Sequence, residues 1–254
     1  MRTALARKSR ADVAMLDVRL FEPMDDRARY ERFNRVRGEV FGKALGWKLP
    51  PDVGPWHDVY DDGASCALAE AADGEPIGIL RALQASCAFP HRELFDTHLA
   101  RCGLQTRLDL IGTLNALAVL PQYRRRTYVA RLSGAQGTAS RLMLRACLEA
   151  LTREGIRIVL ATVMGAVSAR AFLSAGFQFL DLPKDMPGQR GFVVANVAAV
   201  LPSPLPVTGD DMPRVRRYLD KCHRHVSAAG TVENLFGVTA SCSAQGDVLQ
   251  SERG

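Results

Sequence analysis

The stretch Leu117-Ala-Val-Leu-Pro-Gln-Tyr-Arg-Arg-Arg126, continuing through Gly134-Ala-Gln-Gly-Thr-Ala139, decides the fold. It closes an apolar run, Leu108 to Leu120, that ends at Pro121 as a central strand does on leaving its sheet. Thr138 to Glu154 then reads as a helix, with Met143, Ala146, Cys147, Ala150 and Leu151 on one face and Arg141, Arg145, Glu149 and Arg153 on another. A strand, a loop bearing arginines and glycines, and a helix N-terminus aim backbone N–H groups and a positive dipole end at one point, which suits an anion such as a diphosphate.

Upstream, residues 1–12 read as a disordered basic arm and Val13 to Leu20 as a strand. Asp25-Asp26 starts a helix whose buried face carries Phe33, Val36, Val40, Phe41 and Leu45, with Gly46 at its end. A Pro/Gly/Asp-rich loop runs from Pro50 to Gly63. Strands Ala64 to Ala71 and Ile77 to Gln84 flank the turn signal Asp73-Gly74, and Phe89 to Gly103 reads as a short helix and its exit. Downstream come a strand (Ile156 to Thr162), a helix (Ser168 to Ala175) stopped by Gly176, and strands over Phe177 to Leu182 and Phe192 to Val197. The expected class is α/β, one domain over 13–200 with a mixed central sheet flanked by helices. Past Pro202 a Pro-rich linker, one amphipathic helix carrying Val215, Leu219, Cys222 and Val226, and a loose tail complete 201–254.

Composition narrows the function classes. Of 254 residues 47% are apolar and 24% charged, with no apolar run long enough to cross a bilayer and charges in place of a signal peptide's apolar centre. A cytoplasmic protein without membrane contact is expected. Lys and Arg outnumber Asp and Glu by 33 to 27, a net charge of +6 that favours an acidic partner. No nucleic-acid motif accompanies it, whereas coenzyme phosphates or an acidic carrier protein bearing phosphopantetheine need none. Six cysteines without a Cys-x-x-Cys pair argue against a disulfide framework, and Cys222, His223 and His225 do not share a helix face, so no metal is expected.

Taken with the downstream run Ser168-Ala-Arg-Ala-Phe-Leu-Ser-Ala-Gly-Phe177, the deciding stretch resembles the Gcn5-related N-acetyltransferase superfamily. Val119, Pro121, Tyr123, Arg124, Gly137, Ala139, Gly176 and Phe177 fall on its pattern of strand end, phosphate loop and late helix. The run Arg37-Gly-Glu-Val-Phe41-Gly-Lys-Ala-Leu-Gly-Trp47 with His57-Asp-Val-Tyr-Asp61, followed by Arg81, is similar to the N-terminal signature of acyl-homoserine-lactone synthases and long-chain N-acyl amino acid synthases. That branch takes acyl chains from acyl carrier protein. The resemblance implies the acyl-CoA N-acyltransferase fold and a GNAT-like N-acyltransferase. Its donor would be a phosphopantetheine thioester, acyl carrier protein preferred to acyl-CoA, and its acceptor the amine of an amino acid or secondary-metabolite intermediate. An acetyl-CoA-dependent N-acetyltransferase and a non-catalytic ligand sensor on the same fold are the other readings.

Three departures qualify it. Gly134 stands where the phosphate loop has Arg or Gln, about ten extra residues separate Arg126 from Gly137, and Thr113-Leu-Asn115-Ala116 replaces the synthases' Glu-x-Ser-Arg. A longer loop weakens the grip on free coenzyme A and favours a carrier, which offers no adenine nucleotide.

The residues themselves point to the same place. Arg37, four residues from both Phe33 and Phe41, lies on an apolar helix face, where it needs a carboxylate; Asp58 and Asp61 are natural partners, and Arg81 can join them. Such a cluster either ties down its loop or orients the amine. The resemblance makes Phe41 and Trp47 walls of the acceptor pocket. Thr113 and Asn115 project from one side of the central strand, Asn115 as a candidate catalytic residue and Thr113 as a candidate substrate contact. His57 is the candidate base, because its unperturbed pKa lies near neutrality. The resemblance implies that the thioester carbonyl sits at a break in the central strand, where a backbone N–H near Ala118 or Val119 would meet it. Arg124, Arg125, Arg126, Gly137 and Ala139 would hold the donor's phosphate.

Overall fold

Residues 14–45, 58–85, 90–186, 189–202 and 212–237 are described by the computed structural model. In chain order the elements are β1 (Ala14–Phe21), α1 (Arg27–Arg37), β2 (Ser65–Ala71), β3 (Pro76–Gln84), α2 (Asp96–Cys102), β4 (Ile111–Val119), β5 (Tyr128–Ala130), β6 (Gln136–Gly137) and α3 (Ala139–Arg153). Then come β7 (Ile158–Met164), α4 (Gly165–Ser174), β8 (Gln178–Phe179), β9 (Lys184–Met186), β10 (Gln189–Val200), α5 (Met212–Ala228) and α6 (Val232–Leu235). Among the described residues the strands form one sheet in the order β6-β5-β1-β2-β3-β4-β7-β10-β8, with β9 on β10. Only β1–β5 and β4–β7 run parallel among these pairs.

Alternating apolar residues give the sheet two dry faces. One packs Leu114, Val159 and Val197 against Met143 and Cys147 of α3 and Phe172 of α4. The other packs Leu68, Ile79 and Leu160 against Phe33 and Val36 of α1, Leu99 of α2 and Met212, Val215 and Leu219 of α5. The helix past Pro202 therefore belongs to the core. Gly78 lets β3, β4 and α3 meet: a Cβ there would lie 2.8 Å from the Ala118 carbonyl oxygen and 2.9 Å from Met143 Cε.

Three sequence expectations change. The first helix, capped by the Asp26 side chain on Arg29 N–H, is α-helical only to Arg37; Gly38–Ala44 is π-helical, with Leu45 N–H reaching Val40 O. The wider turn rotates the residues beyond it, so Leu45, expected on the buried face, is 39% exposed. The ten extra residues before α3 form the hairpin β5–β6, which extends the sheet beside β1, and Gly134, at φ 64°, makes its turn. The central strand begins at Ile111, after a 3₁₀ turn over Leu108–Leu110. It is broken within: Ala116 has φ 56°, and Ile79 faces Ala118 while Arg81 faces Asn115, so β4 carries one residue more than β3.

Candidate active site

The break in β4 coincides with a split in the sheet. β4 and β7 pair from Ile111↔Ile158 to Leu114↔Ala161 and no further, while both strands continue. Past the break, Leu120 N–H donates to Ile77 O at 2.9 Å. Antiparallel alternation then turns Ala118 toward β3 and leaves the Val119 N–H and C=O facing the split. The Val119 carbonyl accepts a bond from Arg124 Nε at 2.9 Å, which folds that side chain back over the strand end. Arg124, Arg125 and Arg126 are otherwise exposed, with Arg125 at φ 63° and Arg126 over the Tyr123 ring. Ala139 is buried at the start of α3, where the Thr138 side chain caps the Arg141 N–H, and Gly137 lies just before.

On the α1 side of the sheet, Asp61 is the centre of a buried ionic cluster. Its carboxylate has no solvent exposure and accepts two bonds from Arg37 (Nη1 to Oδ2 2.8 Å, Nη2 to Oδ1 2.7 Å). It accepts one more from Arg81 Nη1 (2.6 Å), one from the Tyr30 hydroxyl (2.5 Å) and one from Asp58 N–H (2.9 Å). Burial alone would raise the Asp61 carboxyl, but the hydrogen bonds and charge of Arg37, with Arg81 and Tyr30, outweigh it and hold the group well below the usual carboxylate range. Burial and the Asp61 charge push the Tyr30 hydroxyl up, and burial above all pushes the neighbouring Cys66 thiol up to about 12, which leaves it protonated and inert. The Arg37 guanidinium also lies 4.9 Å from the Phe33 ring centre. Phe41 is buried in the π-helical stretch.

Five hydrogen bonds leave Asp61 no accessible lone pair. Asp58 is different: its side chain is 37% exposed, and it shares Arg81 Nη1 at 3.1 Å. Arg81 also donates through Nε to Asn115 Oδ1 at 2.5 Å, tying the cluster to β4 at its last residue before the break. Thr113, two residues earlier on the same face, is 4% exposed. The fold thus brings together Arg37, Asp58, Asp61, Arg81, Thr113 and Asn115, with Phe41 on the same helical segment as Arg37. Trp47 and His57 lie outside the described residues.

Sequence reading missed Tyr30, although it lies seven residues before Arg37 and hence on the same helix face. It also missed a second cluster on the far side of the split. Asn196 of β10, fully buried, donates Nδ2 to Asp181 Oδ2 (2.8 Å) and to Leu94 O (3.1 Å), and its N–H donates to Asp181 Oδ1 (2.9 Å). The Thr162 hydroxyl of β7 donates to Asn196 Oδ1 (3.1 Å). Lys184 pairs with Asp181 at 2.9 Å, and His98 lies 3.5 Å from Asp181 and 2.8 Å from the Tyr218 hydroxyl. Burial would raise Asp181, but His98, the Asn196 N–H and Lys184 lower it. The signal was a lone amide in the apolar run Val193 to Val200. Among the described residues no group of His, Cys, Asp and Glu could hold a metal, and no helix is long and apolar enough to cross a membrane.

Neither a protein-family model nor a curated protein matches the chain. Solved structures do. The fold, a mixed sheet with helices on both faces, is shared with solved acyltransferases. Within that fold the likeness runs to acyl-homoserine-lactone synthases. BjaI, a CoA-dependent synthase solved with SAM and isopentyl-CoA, is 20% identical over 84% of this chain and 90% of its own, at a TM-score of 0.54. TofI, solved in a ternary complex with an inhibitor and MTA, is 22% identical over 72% of this chain and 90% of its own, at 0.53. LasI, an AHL synthase, is 16% identical over 74% and 91%, at 0.51.

Proposed function

We propose that the protein transfers an acyl group from a phosphopantetheine thioester, presented by an acyl carrier protein, to the amine of a small molecule such as an amino acid. One observation carries this reading: the split between β4 and β7 opens at the level of the Arg37–Asp61–Arg81 cluster, so that a slot suited to a thioester and a cluster of fixed charge share the residue Asn115. The neighbours' activities support acyl transfer as the class of reaction.

In this reading the thioester lies in the split with Val119 N–H facing it. Arg124 guards the mouth, and Arg125 and Arg126, with Gly137 and Ala139 at the start of α3, meet the phosphate. The acceptor's ammonium group docks on Asp58, the one open carboxylate of the cluster. Asp61 acts behind it by fixing Arg37 and Arg81. Phe41 and Trp47 wall the pocket, and Thr113 lines it from β4. His57, beside Asp58, removes the ammonium proton. The free amine attacks the carbonyl carbon, a C–N bond forms as the carbonyl electron pair moves to oxygen, and collapse breaks the C–S bond. The thiolate leaves and takes up the proton the amine has shed, giving an amide and a free thiol.

The test is thiol release from matched acyl-carrier and acyl-coenzyme A donors over a panel of amines. Faster turnover with the carrier is expected. Efficient turnover with acetyl-coenzyme A and none with any carrier would replace this reading with coenzyme-dependent acetyl transfer. Donor binding without thiol release from any amine would make the protein a sensor.

A further inference from the structure

Alternation and register place a row of polar side chains across one face of the sheet. Cys66 faces Arg81, Arg81 faces Asn115, and Thr162 faces Asn196. Asn115 and Thr162 are the first residues beyond the last β4–β7 pair, Leu114↔Ala161, so the row is interrupted only at the split. Each half fixes the orientation of its amide. Asn196 must present Nδ2 to Asp181 and Leu94, which leaves Oδ1 as the acceptor for Thr162. Asn115 must present Oδ1 to Arg81 Nε, which leaves Nδ2 as a donor. That Nδ2 is out of solvent and has no hydrogen-bond partner among the described residues, and neither has the Thr113 hydroxyl behind it. A buried amide N–H left unpaired costs about 1–3 kcal/mol, so it is an expensive feature unless a ligand oxygen completes it.

We propose that Asn115 is a catalytic residue whose Nδ2–H binds the thioester carbonyl oxygen and holds the oxyanion that forms on it. The inference rests on the acyl-transfer reading above and adds a side-chain donor to it. As the amine's lone pair forms the C–N bond, the carbonyl electron pair moves onto oxygen and meets Nδ2–H. When the C–S bond breaks, the pair returns and the sulfur leaves as thiolate, protonated by the proton the amine gives up. Arg81 strengthens the donor, because a guanidinium bonded to Oδ1 draws electron density from the amide. Where water is excluded, one such donor is worth about 10²–10³ in rate.

Two variants separate this role from the positioning of Arg81. Asn115→Asp keeps the Arg81 bond and removes the donor; Asn115→Leu removes both. Both should lower kcat about 100-fold or more and raise KM for the thioester by up to about tenfold, with KM for the amine changed less than about threefold; the Asp variant should melt near the wild type, whereas the Leu variant, which strands Arg81 Nε, should melt several degrees lower. A second readout needs no turnover. S-(2-oxooctyl)-phosphopantetheine carries a carbonyl that S-octyl-phosphopantetheine lacks, and calorimetry on the wild type should favour the oxo compound about tenfold, a preference both variants lose. An Asp variant with near-normal kcat, or a wild type blind to the carbonyl, overturns the inference even if acyl transfer stands. A wild type that prefers the oxo compound yet acylates no amine supports the carbonyl site and sinks the proposed reaction instead.

Discussion

The two banks of the split are built on opposite principles. On the near bank Asp61 is enclosed by two guanidinium groups, a phenol and a backbone N–H. On the far bank Asp181 is held by an amide and a backbone N–H, with one lysine and one histidine at its edge, and stays partly exposed. A cluster of buried charges has one low-energy arrangement, because any rotation strands an unpaired ion. A cluster built mainly of neutral donors and acceptors tolerates small shifts. The near bank is therefore suited to fixing an acceptor, and the far bank to yielding when a donor arm enters between the strands.

The largest test of that contrast is Asp61→Asn, which leaves two buried guanidinium groups facing a neutral amide. It should cost about 3–5 kcal/mol, read as a fall of roughly 10 °C in melting temperature. A near-native melting temperature would make the near bank no stiffer than the far one. The same carboxylate sets the acid limit. Its folded pKa is depressed, so its stabilisation is complete above the unfolded value of about 3.9 and is lost as pH falls below that toward the folded value. Denaturant titrations should show wild-type stability declining below about pH 4, a decline reduced in Asp61→Asn, where Asp181 still contributes its own share. Next in size is Asn196→Ala, which strands the Thr162 hydroxyl, the Leu94 carbonyl and one Asp181 oxygen; about 2 kcal/mol is expected from chemical denaturation. A loss as large as that of Asp61→Asn would erase the distinction between the banks.

Asp58→Asn should spare the fold, since the residue is partly exposed, while raising KM for the amine about tenfold, equivalent to about 1.4 kcal/mol. Unchanged KM would leave the near bank a purely structural tie. Charge reversal at Arg124 and Arg125 together should weaken donor binding by a similar factor without moving the melting temperature. The smallest effect belongs to Arg145→Ala, which removes an exposed pair with Glu149 on α3, remote from both banks, and should cost about 0.3–0.5 kcal/mol.

Much of the near bank was legible because it violates a pattern. An arginine between Phe33 and Phe41 on an apolar face demands a carboxylate, and the chain offers few within reach of that loop. The hairpin β2–β3 and helix α3 were legible from turn chemistry and periodicity. The far bank was not, because its members come from α2, β7, the segment after β8, β10 and α5, and no local spacing joins them. The break in the central strand was implied by the resemblance alone, and its position at Ala116 was silent: alanine has no preference for positive φ, so only the mismatched register of β3 and β4 requires it. The hairpin β5–β6 escaped notice because its strands, of three and two residues, are too short to show a period.

The pairing of β1 with β5 has a kinetic consequence. Ala14 meets Tyr128, which closes a loop of roughly 110 residues, while β2 and β3 meet across a turn of a few. Contacts so distant in sequence form late in folding, after the nearby strands have condensed, and a short outer ladder of this kind is the first to open. In native-state hydrogen exchange the amides of β5 and β6 should therefore lose protection through local opening, while those of β3 and β4 exchange only when the whole sheet comes apart. Arg124, Arg125 and Arg126, spliced between β4 and that outer ladder, would sit at the boundary between the slowest and the fastest exchanging parts of the sheet.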